Sequence, residues 1–325
     1  MAERYTARLL IGCADRPGIV AAVSGFLFAQ GANIVSSHQY SSDATGGRFF
    51  MRTELFLEDL SGPSPPGGPG ATGTVGAPSE PDRPSAPSAP AGVPASGDLS
   101  DHRRRFEQRF AAEVADRFEM DWEIRYWGER RRIAILVSRH DHCLVDLLWR
   151  YRRGELDADV VAVISNHEDL RAQTEAYGVV YHHVPVSRDG KPRAEAAMLE
   201  LLSGQTDLLV LARYMQILSG EFLERLAAPA INIHHSFLPA FAGADPYRRA
   251  HERGVKLIGA TAHYVTPELD EGPIIDQDVV RVDHRQTTGD LQRVGRDIER
   301  LVLARAVALH LDDRVIVDGR RTVVF

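Results

Sequence analysis

The chain has 325 residues, 44% hydrophobic and 26% charged, with a formal net charge of -7. That length predicts about two domains with sizeable cores. The acidic balance excludes a general attraction to nucleic acid or to an anionic membrane, because phosphate binding takes clustered positive charge.

The first elements are an apolar strand over residues 7–13, a helix opened by Pro17 and closed near Gly31, and two strand-like runs over 33–40 and 47–57. Residues 61–100 are nearly all Pro, Gly, Ser and Ala, with too little apolar mass to offset the entropy of ordering, and are expected to be disordered. A helix over 106–118 and a strand over 120–127 follow. Together these read βαββαβ, a split-βαβ (ferredoxin-like) unit over residues 1–128 that the 61–100 segment interrupts rather than divides.

Residues 129–325 alternate strand and helix. Strands are predicted over 132–138, 160–165, 179–186, 208–211, 231–235 and 257–265, with helices over 144–153, 194–202 and 288–311. The pattern predicts a doubly wound, mostly parallel, Rossmann-like sheet, which binds ligands beyond the carboxyl ends of its strands.

Two cysteines, Cys13 and Cys143, offer neither a disulfide framework nor a zinc spacing. The start MAERYTARLLIGCADRPGIV lacks a secretory signal, and no apolar run is long enough to cross a bilayer. A cytoplasmic location is the expectation.

In INIHHSFLP, Asn232 and His234 stand two residues apart on a predicted strand and share a face, while alternation turns His235 away. Asp270 precedes Gly272-Pro273 in LDEGP, where a tight turn can bring a carboxylate to the same sheet end. An amide for an oxyanion, an imidazole for proton transfer and a carboxylate to hold the imidazole or a water suit acyl transfer without a serine or cysteine nucleophile. A lone Asn or His at a strand end is more often a satisfied structural polar group than a catalytic one, and the joint spacing is what suggests the chemistry. His234, His235, His251 and His263 raise a metal reading, but adjacent strand histidines face opposite ways and no HExxH pair is present, so no metal is expected. Cys143, behind His142 at a helix start, is expected to be buried rather than nucleophilic. Ser138 and Ser236 lack a G-x-S-x-G elbow.

INIHHSFLPAF, with GADPYRRAHERGVKLIGATAHYVTPELDEGPIIDQDVV, resembles the formyltransferase-type folate enzymes and, among them, the formyltetrahydrofolate deformylases. CADRPGIV and GANIV resemble an ACT domain, which stands at the front of that family. The resemblance spans the chain except residues 61–100. It implies that Asn232 holds the formyl oxygen, that His234 stabilises the tetrahedral intermediate and assists protonation of N10, and that Asp270 positions or deprotonates water. Either Asp270 or His234 can serve as the base. It also implies that Arg213, Tyr214, Met215 and Ile217 of ARYMQIL bind folate, with His263 close by. The implied reaction is hydrolysis of 10-formyltetrahydrofolate to formate and tetrahydrofolate, balancing folate pools and supplying formate for purine synthesis, with no cofactor.

The resemblance further implies a homo-oligomer assembled through the ACT domain, with Asp15, Arg16, Gly18 and Asn33 as candidates to bind an amino-acid effector such as glycine or methionine. Two other readings stand beside it. One is formyl transfer to an amine such as glycinamide ribonucleotide, against which the stretch 137–144, VSRHDHCL, lacks glycines to close around a phosphate. The other is a folate or amino-acid sensor without catalysis.

Overall fold

The computed structural model describes residues 6–43, 45–60, 96–187, 189–239 and 245–325. The chain divides into two compact units, Met1–Glu129 and Arg130–Phe325.

The first unit runs β1 (Ala7–Ala14), α1 (Ile19–Ala29), β2 (Asn33–Ser41), β3 (Arg48–Phe56), α2 (Ser96–Phe110), α3 (Asp116–Phe118) and β4 (Asp121–Tyr126). Its antiparallel sheet has the order β2-β3-β1-β4, as a split-βαβ unit requires. Leu9 and Ile11 of β1 and Met51 and Leu55 of β3 meet Val23, Phe26 and Leu27 of α1 and Phe106 and Phe110 of α2 in one apolar core. Phe26 sits edge-on to both phenylalanines of α2, with ring centroids 5.3 and 5.4 Å apart.

Two expectations are corrected. Residues 96–100, assigned above to the disordered segment, are helical, and α2 starts ten residues before the predicted helix. Packing of Phe106 and Phe110 forms the helix, and extending a formed helix backwards costs far less than nucleating one. A π turn at Ala111–Ala115 then joins α2 to α3. The rest of the predicted disorder, residues 61–95, lies outside the described residues.

The second unit runs β5 (Arg131–Val137), α4 (His142–Arg152), β6 (Ala158–Ser165), α5 (Arg171–Glu175), β7 (Tyr181–His183), α6 (Lys191–Leu202), β8 (Leu208–Leu211), α7 (Gly220–Leu226), β9 (Ala230–His234), α8 (Pro246–Arg253), β10 (Leu257–Tyr264), β11 (Ile274–Arg281), α9 (Thr288–Leu311) and the hairpin β12 (Val315–Asp318) and β13 (Arg321–Val324). Its seven strands lie in the order β11-β10-β9-β8-β5-β6-β7. Strands β5 to β9 are parallel, whereas β10 runs antiparallel to β9 and β11 antiparallel to β10. The sheet is therefore mixed at the edge that follows the INIHH strand, and the run predicted over 179–186 contracts to three paired residues.

Residues 133–137 of β5 and all of β8 are buried, because helices cover both faces of the parallel strands. After β5 the chain winds outward through β6 and β7, then returns to β8 on the other side. That reversal opens a crevice beyond the carboxyl ends of β5, β8 and β9.

Candidate active site

The crevice is a cavity of about 680 Å³, within the range that holds a small organic ligand. Asn232 and His234 of β9, His263 of β10, Asp270, and the segment from Arg213 to Leu218 after β8 all line it.

The antiparallel ladder places Asn232 opposite His263 and His234 opposite Thr261. Asn232 Nδ2 is 3.2 Å from His263 Nε2, and His263 Nδ1 is 2.8 Å from the Tyr264 carbonyl oxygen. The carbonyl can only accept, so Nδ1 carries the proton and Nε2 accepts from the Asn232 amide. One N–H of Asn232 is thereby fixed, and the other, without a partner among the described residues, is open to a ligand oxygen. Burial holds the His263 ring below the usual histidine range, in keeping with a neutral acceptor.

Asp270 is carried by the turn between β10 and β11. Its backbone is left-handed, with φ 57°. At Gly272 a Cβ would stand 1.8 Å from the Tyr264 carbonyl oxygen, so only glycine lets the turn fold back onto β10. The carboxylate then reaches both imidazoles: Oδ2 is 3.3 Å from His234 Nδ1 and Oδ1 is 3.8 Å from His263 Nε2. Burial alone would raise the Asp270 carboxyl, but the bond and charge of His234 outweigh it and hold it below the usual range. With Nδ1 turned to Asp270, His234 Nε2 is left buried and without a hydrogen-bond partner among the described residues.

His235 does not point away as strand alternation predicts. Strand β9 ends at His234, and the following turn is pinned to Thr261, whose hydroxyl donates to the Ser236 carbonyl at 2.8 Å and accepts from the Leu238 amide at 3.0 Å. The His235 ring lies 5.2 Å from that of His234, centroid to centroid, and lines the same cavity. Burial, with the nearby Arg213 charge, pushes it down to about 3, so the ring is neutral.

Ser138 is a brace rather than a nucleophile. Its hydroxyl donates to Asn166 Oδ1 at 2.7 Å and accepts from the Met215 amide at 3.1 Å, fastening the cavity-lining segment to β5. Tyr214 turns its hydroxyl to the Met198 sulfur, 3.7 Å away in the core, whereas Met215 and Ile217 are 53% and 56% exposed at the cavity. Arg213, at φ 64°, points inward.

Sequence reasoning missed the inner wall. Glu299 of α9, only 1% exposed, faces His142 Nε2 at 2.8 Å, Tyr247 Oη at 2.5 Å and Arg213 Nε at 3.3 Å. Burial would raise its carboxyl, but the His142 bond and the Arg213 charge outweigh that and keep it below the usual range. One turn earlier, at Gly295, a Cβ would stand 2.0 Å from the Tyr247 hydroxyl oxygen, so the glycine makes room for that ring. A carboxylate inside the apolar stripe Leu291, Ile298, Val302 and Leu303 was the available signal. His142, Cys143 and Glu299 also form the one group among the described residues close enough to share a metal ion. Arg213 already supplies the positive charge there, and burial pushes the Cys143 thiol well up, so the donor set does not suit a cation.

The effector candidates lie in the first unit. Asp15 accepts from the Ser41 hydroxyl, Arg16 donates to the Arg117 carbonyl at 2.7 Å, and Gly18, at φ 98°, caps α1. Asn33 begins β2 and Ser41 ends it, so one chain holds Asp15 and Asn33 at opposite ends of that strand. Among the described residues no helix is long and apolar enough to cross a membrane.

The formyl transferase family model matches residues 131–307 and the ACT domain model residues 7–61. A formyltetrahydrofolate deformylase of Mycobacterium tuberculosis is 51% identical over 98% of this chain and 90% of its own length, and one of Bacillus subtilis is 46% identical over 98% and 93%. The solved formyltetrahydrofolate deformylase of Pseudomonas syringae pv. tomato superposes with a TM-score of 0.81 at 43% identity, covering 98% of this chain and 94% of that one. A glycinamide ribonucleotide transformylase of Symbiobacterium toebii covers only 62% of this chain and 96% of its own, with a TM-score of 0.57 at 34% identity. Agreement that runs through both units, and not the catalytic unit alone, separates these relatives: the chain belongs to the formyltetrahydrofolate deformylase family.

Proposed function

We propose that this protein hydrolyses 10-formyltetrahydrofolate to tetrahydrofolate and formate. The observation that carries the reading is the convergence of the Asn232 amide, the His234 imidazole and the Asp270 carboxylate on one cavity. Water attacks the formyl carbon while His234 Nε2 takes its proton, and Asp270 stabilises the imidazolium through Nδ1–H. The free N–H of Asn232 receives the developing oxyanion. Collapse breaks the bond from carbon to N10, which takes the proton back from His234, and the formic acid released ionises to formate. Met215, Ile217 and the backbone from Arg213 to Leu218 support the bicyclic ring of the folate.

The reading needs no cofactor and no metal. It places the protein in the cytoplasm, where the formate supplies one-carbon units for purine synthesis. The separation of Asp15 and Asn33 within one chain supports an effector site shared between two copies, with glycine or methionine as the ligand and the ACT unit as the assembly module. Formate release from 10-formyltetrahydrofolate by the purified protein, with water as the only acceptor, is the decisive measurement. Binding of the folate without turnover would leave a sensor.

A further inference from the structure

Helix α6 buries a carboxylate that the hydrolytic residues do not use. Its inward stripe runs Ala194, Met198, Leu199 and Leu202, and Glu195 stands inside that stripe, 8% exposed. Burying a carboxylate is unfavourable unless its oxygens are bonded, and here both are. Oε1 accepts from the Ser219 amide at 2.8 Å and Oε2 from the Ser219 hydroxyl at 2.6 Å. Lys191, one turn earlier and half-exposed, stands 3.8 Å away and balances part of the charge. The Ser219 hydroxyl also accepts from the Phe222 amide at 3.1 Å, so a chain of bonds runs from the first turn of α7 through Ser219 to Glu195.

Ser219 is where the cavity-lining segment ends. Between β8 and α7 that segment has no regular structure, and its near end is fastened to β5: the Ala212 amide donates to the Leu136 carbonyl at 2.8 Å, and the Met215 amide donates to Ser138. Glu195 fastens the far end. In between, Tyr214 and Leu218 turn into the core that Met198 and Phe222 share, whereas Met215 and Ile217 project at the cavity. A short span that alternates inward and outward keeps a defined surface only while both of its ends are held.

We propose that Glu195 is a positioning residue for folate binding: by holding both donors of Ser219 it fixes the far end of the segment and sets Met215 and Ile217 in place before the ligand arrives. The role rests on the hydrolase reading and concerns affinity rather than chemistry. Glu195 is not among the residues that line the cavity, and the bonds that hold Asn232, His234 and Asp270 run among β9, β10 and the turn that follows. Preorganisation of this kind lowers the ordering cost that binding would otherwise carry.

Titration calorimetry with tetrahydrofolate compares the intact protein with Glu195→Ala, Glu195→Gln and Ser219→Ala, and formate release gives kcat for each. Glu195→Ala should raise the Kd roughly tenfold, the effect of having to order about two side chains that the intact segment already holds. Its kcat at saturating folate should fall by less than about threefold, because the reacting groups stay in place. In Glu195→Gln the amide oxygen still accepts from the Ser219 amide and the amide nitrogen donates to the Ser219 hydroxyl, so the Kd should return to within about threefold of the intact value. The protein carrying both Glu195→Ala and Ser219→Ala should lose less affinity than the product of the two single losses, since one residue acts through the other. Ser219→Ala, expected to weaken binding about threefold, carries the test alone if Glu195→Ala does not fold.

An unchanged Kd in every folded alanine variant would overturn the proposal. So would a kcat that falls as far as the affinity, or a glutamine variant no better than the alanine one, since either is what general loosening of the fold produces. Because affinity is read with tetrahydrofolate alone, an intact protein that binds it but releases no formate would instead remove the hydrolase reading and leave the comparison of affinities legible.

Discussion

Asn232 and His263 face each other across the β9–β10 ladder and meet at 3.2 Å, amide nitrogen to imidazole nitrogen. In the mechanism proposed above, the pairing makes His263 the residue that aims the Asn232 amide at the oxyanion. Asn232→Ala should therefore lower kcat by roughly a hundredfold, about 3 kcal/mol. His263→Ala, which leaves the amide present but free to rotate, should cost roughly tenfold through the same step. Rates of formate release at saturating folate decide it, and equal losses in the two variants would mean that His263 does more than orient.

Asp270→Asn keeps the shape of the group touching His234 and removes the charge that, in the proposed mechanism, stabilises its imidazolium. Turnover should fall by roughly a hundredfold or more, as expected for a partner in proton transfer, while the Kd for folate changes little. Separate measurement of binding and turnover tests this. A loss carried mainly by Kd would assign Asp270 to substrate binding instead.

Acid should destabilise the fold in two steps. Burial and the Arg213 charge push His235 from the ordinary 6.5 down to about 3, so below about pH 6.5 the unfolded chain takes up a proton that the folded ring refuses. Asp270 and Glu299 are held below their ordinary ranges in the fold, so they withdraw stability as pH falls further, through the carboxylate range near 4. Melting temperatures should fall from pH 7 downwards. His235→Gln should flatten the upper part of that curve and Glu299→Gln the lower part.

Exhaustive chelation should leave turnover intact, because the one group of donors close enough to share a metal ion among the described residues is neutralised by Arg213 and carries a protonated thiol. Activity lost on metal removal and restored by zinc would contradict the mechanism.

Replacing residues 61–95 with a Gly/Ser loop of about ten residues should change stability by about 1 kcal/mol, since loop-closure entropy varies slowly with length. The elements flanking that segment, β3 and α2, already share one core with α1. Melting and rate measured together test the expectation, and collapse of the fold would show that the segment packs.

The βαββαβ order, the parallel core strands and the boundaries of α9 were legible because each follows from local periodicity. The pair Asn232 and His234 was legible for the same reason. His235 was misjudged because alternation holds only while the strand continues, and the bonds that end it come from Thr261, some 25 residues away. Glu299 was passed over because it is one of several charges on α9, and only its place inside the apolar stripe, not its residue type, sets it apart from those facing solvent. The antiparallel edge formed by β10 and β11 depends on pairing between strands, which periodicity does not encode.

The close approach of Gly272 to Tyr264 changes how a map of mutational tolerance for this enzyme should be interpreted. Gly272 contributes no atom to any chemical step, yet every side chain there forces the Asp270 turn off β10. In a saturation screen scored by growth, position 272 should be as intolerant as position 270, and the two would look alike. Protein abundance distinguishes them: Asp270 variants should accumulate as folded, inactive protein, whereas Gly272 variants should be depleted from the soluble fraction.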